Sequence, residues 1–354
     1  MTRYDLLLRN GRIVDGSGAA AYVGEVAVKD GKIAEIGQLD GAEAEREIDV
    51  GGRVVAPGFI DIHSHCDFIL PLPDQADFLE PFVRQGITTL VVGNCGYAPA
   101  PINPDTAPLM QAYTAFIKPR DLEWGWQTFG EYLDYLEDHG VFMNTVPLAA
   151  HGALRIAVMG FDARAPNHME LGQMKRHLQE CMDSGAHGLS CGLIYAPGMF
   201  ASTDELAALA DVLPAYDGIF TFHVRGSSET LIPAAQEVVE VARQTGVRVQ
   251  HSHLEAFGKD HWPKIEETLL LHERARHQNT TADERLMRHA PGRITGCRSH
   301  QSWSWRATIA RATKTRASTS TSRTRKMSAN EAAPNDRLFR YGKAMSMRLT
   351  VFRY

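Results

Sequence analysis

A chain of 354 residues, 44% of them hydrophobic, has ample material for the core of one large α/β domain and room for a small second one. No apolar run reaches membrane-spanning length and the amino terminus lacks the pattern of a signal peptide, so neither a membrane nor export is expected and the cytoplasm is the default location. The net charge of −5 hides a division: residues 1–283 hold 21 basic and 39 acidic side chains, whereas residues 284–354 hold 16 and 3. The acidic body offers no basic patch for nucleic acid, and so abrupt a switch marks a boundary.

In chain order, residues 1–57 read as short strands and turns. Tyr4–Leu8, Arg12–Val14, Glu25–Lys29, Lys32–Ile36 and Arg53–Ala56 are strand-like, punctuated by Asn10-Gly11, Asp15-Gly16, Asp30-Gly31 and Gly51-Gly52. Asn-Gly and Asp-Gly between apolar runs are hairpin signals, so a small antiparallel β unit is expected. From Gly58 the rhythm becomes strand, then helix. Strands are predicted at 58–63, 88–95, 146–151, 187–194, 219–224, 247–253 and 279–283, with helices at 75–86, 128–138, 169–184, 203–213, 228–244 and 262–277. Gly86, Gly140, Gly185 and Gly246 stand where helix ends favour glycine. Repeated βα units imply a parallel sheet, and the absence of a Gly-x-Gly-x-x-Gly after the first strand removes support for a dinucleotide fold. Polar residues at the carboxyl ends of the strands favour a closed barrel.

Beyond Asp283 the periodicity collapses. Ala317–Lys326 is a low-complexity run of Ser, Thr and Arg with no apolar face, which cannot bury enough surface to offset the entropy of ordering. It also lacks the aromatic residues of a single-strand binder. Residues 284–354 are therefore expected to be a disordered or out-of-frame tail.

The chemistry-bearing residues gather at strand ends: His63 and His65 on the first strand, Cys95 on the second, His223 on the fifth, His251 and His253 on the sixth. On a strand, residues i and i+2 share a face, so each His-x-His pair can aim two imidazoles into one site. In a βα barrel those ends open on one face, where active sites are built. Five scattered cysteines argue for thiols or metal ligation rather than a disulfide framework. Three or four N and S ligands suit zinc, which acidifies water and polarises a carbonyl, the requirements for hydrolysing an amide or ester. His151, His187 and His261 read as structural histidines, and Cys66, Cys181 and Cys191 as core thiols. His251 is an alternative to His253 as ligand, and Asp61 is a candidate hydrogen-bond partner behind a metal-bound imidazole.

Several runs together resemble the amidohydrolase superfamily, and within it the N-acyl-D-amino-acid deacylases (D-aminoacylases). They are Ala56-Pro57-Gly58-Phe59-Ile60-Asp61-Ile62-His63-Ser64-His65, Gly93-Asn94-Cys95-Gly96, Gly188-Leu189-Ser190-Cys191-Gly192-Leu193-Ile194-Tyr195-Ala196-Pro197-Gly198, His223-Val224-Arg225 and Ser252-His253-Leu254. The His-x-His start is common to the superfamily; the Asn-Cys-Gly and Gly-Leu-x-Tyr-x-Pro-Gly elements are more specific to the deacylases. The resemblance implies a distorted (β/α)8 TIM barrel over residues 58–283, here incomplete, flanked by a small β-sandwich over residues 1–57. It implies one tight zinc on Cys95, His223 and His253, with His63 and His65 forming a second, weaker position. Substrate contacts fall on Tyr195, Arg225 and Glu255. The implied reaction is hydrolysis of N-acyl-D-amino acids, small molecules, to a carboxylate and a free D-amino acid.

Two departures stand out. Glu255 occupies a place where many relatives carry Lys. The strand-eight Asp that serves as general base and acid is not found, which leaves Asp283 as its nearest substitute. Thr280-Thr281-Ala282-Asp283 matches the run-in to the next family element, and then the resemblance stops. Read from the third base of the Glu284 codon, codons for Arg285–Arg288 can encode Pro-Tyr-Ala, which favours a shift of reading frame near 283–285.

Overall fold

The computed structural model describes residues 3–120, 122–278 and 349–352. Five strands come from the first part of the chain: β1 (Tyr4–Ile13), β2 (Tyr22–Lys29), β3 (Lys32–Gly37), β4 (Ala44–Asp49) and β5 (Val54–Pro57). Asp30 and Gly31, both with positive φ, make the tight turn joining β2 to β3, as the hairpin signal predicts. Asn10-Gly11 behaves differently. It is not a turn between two strands but an irregularity inside β1, which pairs with β2 on both sides of it. This bulge changes partners on the other edge: residues 4–9 of β1 run parallel to β4, and Arg12 and Ile13 pair with β5.

All these strands lie in one connected six-stranded sheet, where the sequence reading expected a sandwich. Its sixth member is β13 (Leu349–Phe352), antiparallel to β5. Within the segment read as a tail, these four residues thus form a strand of the amino-terminal sheet. The strand expected at 279–283, the candidate Asp283 and residues 284–348 lie outside the described residues.

Two short sheets follow with parallel register. One joins β6 (Phe59–Asp61), β7 (Ile87–Val92) and β8 (Asn144–Pro147); the other joins β9 (Ala149–Ala150), β10 (Gly188–Gly192), β11 (Ile219–His223) and β12 (Arg248–His251). Only Leu148 separates β8 from β9, and its N–H donates to the Val92 carbonyl, so the strands form one array ordered β6-β7-β8/β9-β10-β11-β12. The helices are α1 (Gln75–Arg84), α2 (Ala107–Tyr113), α3 (Phe129–His139), α4 (His151–Met159), α5 (His168–Asp183), α6 (Thr203–Ala210), α7 (Leu231–Thr245) and α8 (Pro263–Gln278). Reciprocal capping boxes start α3 (Thr128 with Glu131) and α5 (Asn167 with Glu170), and Ser202 caps α6. Helix α4 was not expected. Its sequence is apolar nearly all round, so it has no periodic stripe, and it is buried almost throughout.

The core lies between strands and helices. Leu90, Val92, Leu189, Phe220, Phe222 and Val249 from the strands meet Leu136, Leu178, Leu206, Val238 and Val241 from the helices, all essentially inaccessible. Each such side chain contributes about 1.5–3 kcal/mol on burial. Among the described residues no helix is long and apolar enough to cross a membrane.

Candidate metal centre

The site is assembled by the turn Gly93-Asn94-Cys95-Gly96, which leaves the carboxyl end of β7 with φ of 81°, 54° and 78° at Gly93, Cys95 and Gly96. Only glycine fits at its two ends. A Cβ on Gly93 would stand 2.2 Å from the Leu148 carbonyl oxygen, and one on Gly96 would stand 3.0 Å from the Gly192 nitrogen. Ser190 of β10 pins the turn from beneath: its hydroxyl donates to the Gly93 carbonyl and accepts from the Gly96 N–H at 2.9 Å. The Asn94 amide donates to the carbonyls of Val91 and Ser64, tying the turn to the His63–His65 segment. Asp67 accepts from the Gly93 N–H at 3.3 Å. Ser190, Asn94 and Asp67 received no role from sequence reasoning, because nothing in a lone Ser, Asn or Asp marks it as the partner of a distant turn.

The turn lifts the Cys95 thiol into the midst of three imidazoles. Its Sγ lies 3.3 Å from His63 Nε2, 3.6 Å from His223 Nδ1 and 3.5 Å from His253 Nε2. His65 completes the set, its ring centroid 5.4 Å from that of His63. Two groups of three potential ligands, His63/His65/Cys95 and Cys95/His223/His253, each have their donor atoms within 4.8 Å of one another and share the thiol.

The two His-x-His pairs reach the site by a route other than strand alternation. Strand β6 stops at Asp61, so His63 and His65 sit on the following loop. Strand β12 stops at His251, and His253 takes a φ of 34°. The chain therefore bends, His253 faces Cys95, and His251 instead places Nδ1 3.1 Å from Nε2 of His272 on α8. Asp61 accepts a hydrogen bond from the backbone N–H of His63, not from its ring. His151 is buried against Glu205, and Cys66, Cys181 and Cys191 are buried thiols.

Electrostatics favour the neutral, ligating form of two of these imidazoles, His223 and His65. Burial, with the neighbouring His253 and His65, pushes the His223 imidazolium pKa down to about 4, and burial lowers that of His65. The same burial, reinforced by Asp67 and Glu255, raises the Cys95 thiol to about 12, so a thiolate there requires a cation beside it. His65 Nδ1 is buried without a hydrogen-bond partner among the described residues. Four imidazoles around one thiol, two of them held neutral by burial, and an orphaned ring nitrogen meet the demands of a metal that prefers N and S donors.

Of the residues expected to meet substrate, Tyr195 places its hydroxyl 3.4 Å from His223 Nδ1, and burial raises its phenol to about 12. Glu255 comes within 3.6 Å of His253 Nδ1. The Arg225 guanidinium is engaged by Glu237 and by the carbonyls of Met199 and Ala201, so it braces protein rather than reaching into the site.

The amidohydrolase family profile matches residues 46–290. This chain belongs to the amidohydrolase family. It is 35% identical over 278 residues to the D-aminoacylase of Alcaligenes xylosoxydans xylosoxydans, covering 77% of this chain and 55% of that protein. It is 37% identical over 276 residues to the N-acyl-D-glutamate deacylase of the same organism, covering 77% and 54%. Among solved structures, the N-acyl-D-glutamate deacylase from Bordetella bronchiseptica, complexed with zinc and a phosphonate inhibitor, superposes with a TM-score of 0.72 at 34% identity, covering 78% of this chain and 57% of that one. The chain spans about half the length of the curated relatives it matches.

The glycine turn sets where the thiol stands. Gly93→Ala forces a Cβ into the Leu148 carbonyl at a φ that side chains avoid. The thiol should shift, and zinc affinity, read by competition with a chromophoric chelator, should fall on the order of 10–100-fold, as for other changes behind a ligand. Unchanged affinity would show that the turn does not set the thiol.

Proposed function

We propose that the chain carries the metal centre of a zinc-dependent N-acyl-D-amino-acid deacylase, with the tight site on Cys95, His223 and His253 and a second, weaker position on His63 and His65. The observation that carries this reading is the single thiol common to two ligand groups, taken with the deacylases named above as relatives.

The chemistry that zinc supplies in such a site is Lewis acidity toward an amide carbonyl and toward water. The protein's own contribution is distinct. Burial holds His223 and His65 in the neutral, ligating form. Tyr195 stands beside His223, where its hydroxyl, protonated at neutral pH, can donate to a carbonyl oxygen. The segments that follow β7, β10 and β12 expose Phe116, Ile194, Met199 and Phe257, apolar side chains of the kind that meets an acyl group. The Glu255 carboxylate disfavours an anionic side chain beside it. Asp283 is the proposed substitute for the proton-shuttling carboxylate.

A second reading, a metal-binding chain without turnover, is favoured by one observation: among the described residues neither ligand group includes a carboxylate. Elemental analysis and an assay with N-acetyl-D-methionine separate the two. About one tightly held zinc with hydrolysis of the D but not the L substrate supports the deacylase. Zinc without hydrolysis supports the second reading, and absence of zinc from folded protein removes both.

A further inference from the structure

Arg225 stands two residues beyond His223 and does not face the thiol. One edge of its guanidinium donates to Glu237 of α7, from Nε at 2.9 Å and from one terminal nitrogen at 3.0 Å. The other edge donates to the backbone, to the Met199 carbonyl at 3.1 Å and the Ala201 carbonyl at 2.7 Å. Glu237 also accepts from the Thr203 hydroxyl at 2.9 Å. One carboxylate therefore organises three donors, and a rigid planar fork carries its hold across to a loop backbone.

That loop begins at Tyr195. The Met199 N–H donates back to the Tyr195 carbonyl at 2.8 Å, and Gly198 packs so closely on β10 that a Cβ would lie 2.3 Å from the Gly192 carbonyl oxygen. The loop is thus clamped between a strand end and the guanidinium. At its start the Tyr195 ring lies 4.8 Å, centroid to centroid, from His223. Since Arg225 follows His223 in the chain, the brace ties both partners of this contact to one frame.

We propose that Glu237 is a positioning residue of the metal pocket: acting through Arg225, it holds the Tyr195 loop so that the tyrosine hydroxyl stays against His223. The importance of that contact for substrate rests on the deacylase reading; the positioning itself does not. A lysine in place of Arg225, with three donors on a single nitrogen, cannot reproduce the four hydrogen bonds of the planar fork, and a glutamine in place of Glu237 keeps the shape but loses the charge.

The test uses the full chain labelled with 3-fluorotyrosine, metal-free, observed by fluorine NMR, with the Tyr195 resonance assigned from Tyr195→Phe. In the parent protein His223→Ala should shift that resonance. In Glu237→Gln, and independently in Arg225→Lys, the Tyr195 resonance should move on its own and His223→Ala should no longer affect it, while the buried Tyr132 resonance stays in place. Thr203→Val, which leaves the ion pair intact, should retain the response. A Tyr195 resonance that still answers to His223→Ala in both brace variants overturns the proposal, and so does a simultaneous shift of Tyr132, which marks a general packing role. Zinc content measured in parallel tests the metal reading alone: a chain that takes up no zinc but whose Tyr195 signal follows Glu237 refutes the function and leaves the brace standing.

Discussion

Replacing Cys95 by alanine is expected to strip the chain of zinc. The thiol is the one donor common to both ligand groups, and its Sγ lies within 3.6 Å of three imidazole nitrogens. Changes behind a ligand already cost about 10–100-fold in metal affinity, so loss of the shared thiolate should exceed that and bring zinc after dialysis to background. His223→Ala and His253→Ala should abolish the tight site in the same way, whereas His63→Ala and His65→Ala should mainly weaken the second position. Elemental analysis giving the same zinc content for the Cys95→Ala and parent proteins would take Cys95 out of the site.

Removing the carboxylate of Glu205 should have the largest effect on stability. Arg155 is fully buried on α4 and places a terminal nitrogen 2.8 Å and 2.6 Å from the two Glu205 oxygens, while His151 Nε2 lies 2.8 Å from the first of these. Glu205→Ala leaves a buried guanidinium unpaired, a change that costs about 3–5 kcal/mol. The double substitution Arg155→Met with Glu205→Leu, which removes both charges, should recover much of that loss. Urea denaturation measures both, and a cost for Glu205→Ala below about 1 kcal/mol would mean the pair behaves like a surface ion pair. The acid dependence has a definite sign. Burial raises the Glu205 carboxyl, but His151 and Arg155 outweigh it and hold the folded-state value below the ordinary 4.5. Its contribution is therefore complete above pH 4.5 and lost as pH falls through the lowered value.

The alternation of strand and helix from Gly58 was legible because apolar runs and capping residues recur at βα spacing, and β6 to β12 fall where those runs predict strands, whereas β4 and β13 lie where none was expected. The donors were legible as residue types. Their geometry was not. Strand periodicity puts residues 251 and 253 on one face, but the strand ends at His251 and a positive φ swings His253 away from it. Arg225 looked free for substrate because a sequence does not say that a carboxylate on the next helix and two loop carbonyls will claim its guanidinium. Asn10-Gly11 carried a strong turn signal and became a bulge, since the chain on both sides of it continues along the same neighbour, β2. Helix α4 was hidden for the opposite reason: an element buried on every side has no pattern to read.

The donors come from opposite margins of the strand array: His63 and His65 follow β6, His253 follows β12, and these are the two edge strands of the described order. Cys95 and His253 are 158 residues apart in the chain. A cation shared among them would act as a clasp, fastening the first margin to the last. Like a cross-link that closes a long loop, such a clasp restricts the unfolded chain, an effect on the order of 4–5 kcal/mol for loops of this length. Cofactor uptake and closure of the array would then be one cooperative event, with ligands that become neighbours only once every intervening strand has taken its place.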